Sequence, residues 1–214
     1  MNIKLNNVIP HPVKELPYKG SEIWGKGPLE LERGKKYNFY APSGKGKTTL
    51  LSIIYGIRRD FDGEVLINSK PISFFSQKKW SELRKNSLSY IFQGLELFEE
   101  LTAWDNIQLK NDQLKYKQES EIIELAKRFE IDDYFNKIAG KLSFGQKQRV
   151  AILRALCQPF DFLLADEIFS HLDLTISSKI TEVIIDECDK RKAGLLTTSL
   201  SESSLINYDR KFRI

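Results

Sequence analysis

Ala41-Pro42-Ser43-Gly44-Lys45-Gly46-Lys47-Thr48-Thr49 constrains this chain more than any other segment because of what flanks it. Tyr37-Asn38-Phe39-Tyr40 precedes it with strand character, and an apolar helical pattern follows from about Lys47 to Ile57. A glycine-rich turn capping a helix has the same composition, but the strand–loop–helix setting is that of a phosphate-binding P-loop. Gly44 and Gly46 let backbone N–H groups approach phosphate closely, Lys47 adds a cation, and Thr48 offers a hydroxyl to Mg²⁺. Ser43, Lys45 and Thr49 complete the candidate ATP-binding loop, and Ala41 stands where such loops usually begin with glycine.

Strand-like and helical patterns alternate along the rest of the chain. Residues 2 to 40 read as β-rich, through Ile3, Leu5 and Val8, then Glu22-Ile23-Trp24, then Leu29 and Leu31, with turns at Gly20, Gly25, Gly27 and Gly34. Asp60-Phe61-Asp62-Gly63 reads as a turn closing the first helix, before strands at Val65 to Ile67 and Leu88 to Phe92. Between about 95 and 140, Ile122, Leu125, Ala126 and Phe129 recur at helical spacing, predicting a mostly helical insert. A helix to Cys157, an apolar strand Phe162-Leu163-Leu164-Ala165, a helix from about Leu174, a strand Leu195 to Ser199 and a terminal strand near Lys211 to Ile214 complete the reading. This order predicts an α/β fold with a parallel sheet covered on both faces.

Composition narrows the function classes. Hydrophobic residues at 41% and charged residues at 29% of 214 fit one globular domain with a sizeable core, and exclude disorder and coiled coils. Thirty-three Lys and Arg against 29 Asp and Glu leave +4, too evenly mixed to announce nucleic acid as a partner, though compatible with weak attraction to an anionic membrane surface. Cys157 and Cys188 have no disulfide or metal-ligand spacing, so a reducing cytoplasm is the expected home. Met1 to Leu5 alternates polar and apolar residues, unlike a signal peptide, and runs such as Leu50 to Ile54 fall far short of the ~20 residues that span a bilayer.

A second chemical signal is Asp166-Glu167, at the end of the apolar strand that starts at Phe162. Alone, such a strand reads as core with a solvated end. Beside a P-loop, the same pair can serve phosphoryl chemistry: Asp166 holds Mg²⁺ through water and Glu167 orients or deprotonates the attacking water.

The third signal, Leu142-Ser143-Phe144-Gly145-Gln146-Lys147-Gln148-Arg149, has its Gln146 twenty residues before Asp166, and Ser170-His171-Leu172-Asp173 follows Glu167. Ser143 to Gln146 is also a capping box for a helix start. With the P-loop and Asp166-Glu167, these motifs make nearly the whole chain resemble an ATP-binding-cassette (ABC) transporter nucleotide-binding subunit of the small stand-alone bacterial type. The resemblance implies a P-loop NTPase core with a mostly parallel sheet, an N-terminal antiparallel β subdomain within residues 1–40 and a helical subdomain at about 95–140, in one domain over 1–214.

It further implies that Ser143, Gly145 and Gln146 contact the ATP bound to a second subunit. Gln93 matches the glutamine that touches Mg²⁺ and the attacking water, and Tyr18, sixteen residues before Gly34, matches an aromatic that stacks on adenine. Asp173 matches an interface aspartate and is also a plausible N-cap. Ser199 stands where the family has a switch histidine, implying slow hydrolysis; His171 is a candidate substitute across a dimer, and His11 reads as a solvated loop residue. The implied role is an ATPase with Mg²⁺, working as a homodimer or heterodimer of cassettes at the inner face of the cell membrane, peripheral to a separate integral membrane permease. The stretch Leu95 to Leu101 is rich in apolar residues where the family docks that permease, although an amphipathic core segment would look the same. A nucleotide-switched regulatory cassette with weak turnover is the alternative, and no nucleic-acid partner is expected.

Overall fold

The computed structural model describes residues 1–14, 20–169 and 174–214. In chain order its elements are β1 (Asn2–Pro10), α1 (His11–Lys14), β2 (Leu29–Glu32), β3 (Lys36–Tyr40), α2 (Lys47–Ile54), β4 (Phe61–Ile67), β5 (Lys70–Pro71), α3 (Gln77–Asn86) and β6 (Leu88–Ile91). Then follow α4 (Ala103–Asn111), α5 (Glu119–Arg128), α6 (Phe144–Leu156), β7 (Phe162–Ala165), α7 (Leu174–Arg191), β8 (Gly194–Ser199) and β9 (Arg210–Arg213).

These strands form two sheets. An antiparallel sheet has the order β2-β1-β4-β5, and a parallel sheet has the order β6-β7-β8-β3-β9. The parallel sheet is the α/β core that the alternating pattern predicts. Its strand β7 shows why both faces are covered. Period-two alternation sends Phe162 and Leu164 into one apolar cluster, with Phe39, Leu50 and Leu51, and Leu163 and Ala165 into another, with Val150, Leu153 and Ile184. Adjacent β8 repeats the split with Leu196 and Leu195. The strands of this sheet that carry Ala165 and Ser199 end at the same edge as β3, which places the loops after them side by side.

Several local expectations differ from the structure. The β-rich stretch up to residue 40 is divided, because β1 and β2 join the antiparallel sheet while β3 lies in the parallel one. Glu22-Ile23-Trp24 is a turn and not a strand: the Ser21 hydroxyl accepts from the backbone N–H groups of Ile23 and Trp24 at 3.1 and 2.9 Å, folding the chain back on itself. Asp60 to Gly63 is not a helix-closing turn. Strand β4 begins at Phe61, opposite Pro10, where a register shift between Asn6 and Ile9 bulges β1. Helix α2 stops at Ile54, short of the expected Ile57, and Gly56 follows at φ 76 with the Trp80 ring against it. Helix α3 carries no expectation from the sequence, although Ser76 caps it by accepting from the Lys79 N–H at 3.2 Å and Trp80 and Leu83 bury one face three residues apart. Among the described residues, no helix is long and apolar enough to cross a membrane.

Candidate functional site

Strand β3 delivers the chain to the loop, and Gly44 at φ 77 and Gly46 at φ 95 make the left-handed turns that start α2. Gly46 is the N-cap of α2, so the N–H groups of its first turn, which lack helical partners, face the loop's interior with the positive helix end behind them. The loop is supported from below by a residue distant in sequence. Trp24, fully buried, donates its indole N–H to the Lys45 carbonyl at 3.3 Å, and with Val13 it packs so closely that a side chain on Gly46 would start 3.1 Å from both.

Lys47 is the centre of the site. Its side chain is only 3% exposed, and the ammonium donates to the carbonyls of Ala41 at 2.7 Å and Pro42 at 3.1 Å and lies 3.0 Å from Glu167 Oε1. The other oxygen of that carboxylate, Oε2, accepts from Gln93 Nε2 at 3.4 Å. A cavity of about 200 Å³ is lined by the loop residues Ser43, Gly44, Gly46, Lys47, Thr48 and Thr49 and by Gln93 and Glu167. Eight of the predicted positions therefore line one space. Lys45 does not line it.

Asp166 sits behind the cavity and is fully buried. Burial pushes its carboxyl above the usual carboxylate range, opposed by hydrogen bonds from Thr198 and Thr48. Thr198 Oγ1 donates to Oδ1 at 2.5 Å, and the Tyr90 hydroxyl donates to Oδ2 at 3.4 Å. Thr48, Gln93, Asp166 and Glu167 offer oxygen donors, the hard set that Mg²⁺ prefers. Among the described residues, no group of three His, Cys, Asp or Glu that could hold a metal occurs.

The signature segment lies elsewhere. Ser143 caps α6 by accepting from the Gln146 N–H at 3.3 Å, while Gln146 Oε1 accepts from the Ser143 N–H at 2.9 Å, so the capping box forms as the sequence suggests. Ser143 and Phe144 are exposed, and Ser143, Gly145 and Gln146 do not line the P-loop cavity. Ser199 ends β8 and borders a neighbouring cavity of about 370 Å³ that shares Glu167 as a wall. Its hydroxyl donates to the Ser201 carbonyl at 2.6 Å and accepts from Asn38 Nδ2 at 3.1 Å. His11 belongs to α1 and not to a loop, with Nε2 3.2 Å from Asp62 Oδ1. Tyr18, Ser170, His171, Leu172 and Asp173 lie outside the described residues.

Sequence reading missed Trp24, Asn38 and Thr198. No local signal marks Trp24. The other two are hydroxyl or amide side chains in strands predicted to be buried, where a polar group must find a partner, and that was the available signal.

Comparison with known proteins places the chain in a family. A family model described as ABC transporter matches residues 27–170. An ABC transporter ATP-binding protein of Mycoplasma genitalium is 32% identical over 182 residues, covering 84% of this chain and 58% of that protein. The chain thus spans little more than half of that relative. HrtA of Staphylococcus aureus, named for hemin import, is 33% identical over 174 residues, covering 79% of this chain and 78% of its own. Among solved structures, the bacterial ABC transporter cassette MJ0796, a dimer, aligns with TM-score 0.76 at 29% identity over 92% of this chain and 87% of that one. Its post-hydrolysis dimer bound to ADP and Pi aligns with the same TM-score at 25% identity, over 93% and 88%.

Proposed function

Because the chain belongs to the ABC transporter family, we propose that it is the ATP-binding and ATP-hydrolysing subunit that energises a separate membrane permease, built as one ABC ATPase domain over residues 1–214 with a helical subdomain at about 95–140. The convergence of Lys47, Gln93 and Glu167 around one cavity carries this reading. ATP phosphates entering the loop meet the N–H groups that open α2 and compete with the Glu167 carboxylate for the Lys47 ammonium. Glu167, released from that ion pair and still within reach of Gln93, accepts the proton of the attacking water while Gln93 orients it. Mg²⁺, when bound, neutralises phosphate charge, held by Thr48 and Gln93 and, through water, by Asp166. Thr49 and Ser43 flank the phosphates from the loop, whereas Lys45 stays outside the cavity.

Ser143, Gly145 and Gln146 serve the ATP of a second cassette, so the working unit is a dimer seated against the permease at the membrane's inner face. Turnover is slow, because the Ser199 hydroxyl is short, cannot carry positive charge and is engaged by Asn38 and Ser201. The test is Lys47→Ala, with binding followed by a fluorescent ATP analogue and turnover by phosphate release. Loss of both is expected, since phosphate charge in a partly desolvated loop then lacks its cation. Wild-type binding and turnover in that variant would remove the assignment.

A further inference from the structure

Asp166 and Glu167 have different surroundings but share one neighbour. Strands β7 and β8 run parallel with Ala165 opposite Thr197, so the next step along each strand brings Asp166 beside Thr198. Thr198 is 2% exposed, and its hydroxyl has two partners. It donates to Asp166 Oδ1 at 2.5 Å and accepts from the Glu167 N–H at 2.9 Å. Glu167 has φ 51, a left-handed conformation that a residue with a side chain rarely adopts. A non-glycine residue stays there only when its surroundings hold it.

We propose that Thr198 is a positioning residue for hydrolysis: its single hydroxyl fixes the Asp166 carboxylate and pins the Glu167 backbone in the left-handed turn, which aims the Glu167 side chain at Lys47 and Gln93. The assignment rests on the hydrolytic reading of the site. Thr198 touches neither the P-loop cavity nor its predicted contents, since it is absent from that lining. It acts through the two carboxylate residues. A buried hydroxyl that donates to one group and accepts from another has only one side chain direction that serves both, which gives the strand end its rigidity.

The test compares Thr198→Val, which keeps the branched shape and removes the oxygen, with Thr198→Ser, which keeps the oxygen. Thr198→Val lowers kcat about 10- to 100-fold, the usual scale for losing a group that orients a reacting residue, while its affinity for a fluorescent ATP analogue stays close to wild type. Thr198→Ser restores kcat. An unchanged kcat in Thr198→Val overturns the proposal, and so does an equal fall of kcat and affinity, which is the mark of general damage. Should Thr198→Val fail to fold, Thr198→Ala removes the same oxygen with less bulk and is read against Thr198→Ser in the same way.

A readout independent of turnover is the exchange of the Glu167 amide proton, followed by nitrogen-15 NMR. It stays slow in wild type and Thr198→Ser, and becomes about tenfold faster or more in the variant without the oxygen. If the wild-type chain binds ATP without hydrolysing it, the hydrolytic reading fails while this exchange pattern still upholds the clasp. Slow exchange in the variant without the oxygen overturns the clasp whatever the turnover.

Discussion

Serine and histidine at the end of β8 differ in reach, in charge and in what they must displace. The Ser199 hydroxyl is committed to Asn38 and to the Ser201 carbonyl, so in this chain it shapes the turn after β8. An imidazole there can extend into the neighbouring cavity of about 370 Å³ toward Glu167 and can stabilise developing charge. Loss of one preorganised donor typically costs about 10²- to 10³-fold in rate. Ser199→His is therefore expected to raise kcat by a substantial part of that range and to leave ATP affinity nearly unchanged, in steady-state and equilibrium measurements side by side. Gly46 has the opposite constraint. At φ 95, with Trp24 and Val13 3.1 Å from any added side chain, Gly46→Ala is expected to lower unfolding free energy by about 1–2 kcal/mol or more in denaturant titrations, from the left-handed backbone alone.

At the level of elements, charge ties α7 to the segment leading into α5. Glu187 on α7 is 2% exposed and receives Lys117 at 3.0 Å, Arg191 at 2.7 Å and Lys190 at 3.2 Å, while Arg128 on α5 reaches Asp186 at 2.6 Å. Burial alone raises a carboxyl, but Arg191 and Lys117 outweigh it and hold Glu187 down at about 2, below its ordinary 4.5. The native state thus keeps this group ionised where the unfolded chain begins to take up a proton. Its contribution to stability is present above about pH 4.5 and is lost as pH falls toward 2. Glu187→Gln is expected to flatten that acid limb in a series of melting temperatures against pH. At pH 7 it lowers stability by about 3–5 kcal/mol, since Lys117 and Arg191 keep their charge in a buried place without the carboxylate.

For the whole molecule, the separation of α6's capped start from the P-loop cavity carries the consequence. Ser143, Gly145 and Gln146 do not line their own chain's P-loop cavity, so their expected contact with phosphate requires a second cassette. Glu167→Gln keeps the side chain's shape and removes both the proton acceptor and the ion pair with Lys47. It is expected to accumulate as a dimer at saturating Mg-ATP, with twice the monomer mass by light scattering. A monomer under those conditions would count against self-pairing and favour a heterodimer.

What the chain's order of residues determined by itself is local. The glycines and lysine of the loop, the uninterrupted apolar run of β7 and the Ser143-Gln146 capping box each announce their geometry within a few residues, because turns, period-two burial and helix caps are short-range chemistry. The six loop positions that line the P-loop cavity were legible for that reason, and Glu167 was legible at the end of an apolar strand beside them, whereas Gln93 was read only through the family resemblance. Only the tertiary structure decided that Trp24 lies beneath Lys45, that Asn38 holds Ser199, and that Thr198 joins Asp166 to Glu167. It also decided that β2 and β3, separated by a short turn, enter different sheets. A buried polar group or an indole needs a partner, but its own neighbours in sequence do not say which one; sheet register and packing between residues far apart in the chain supply it.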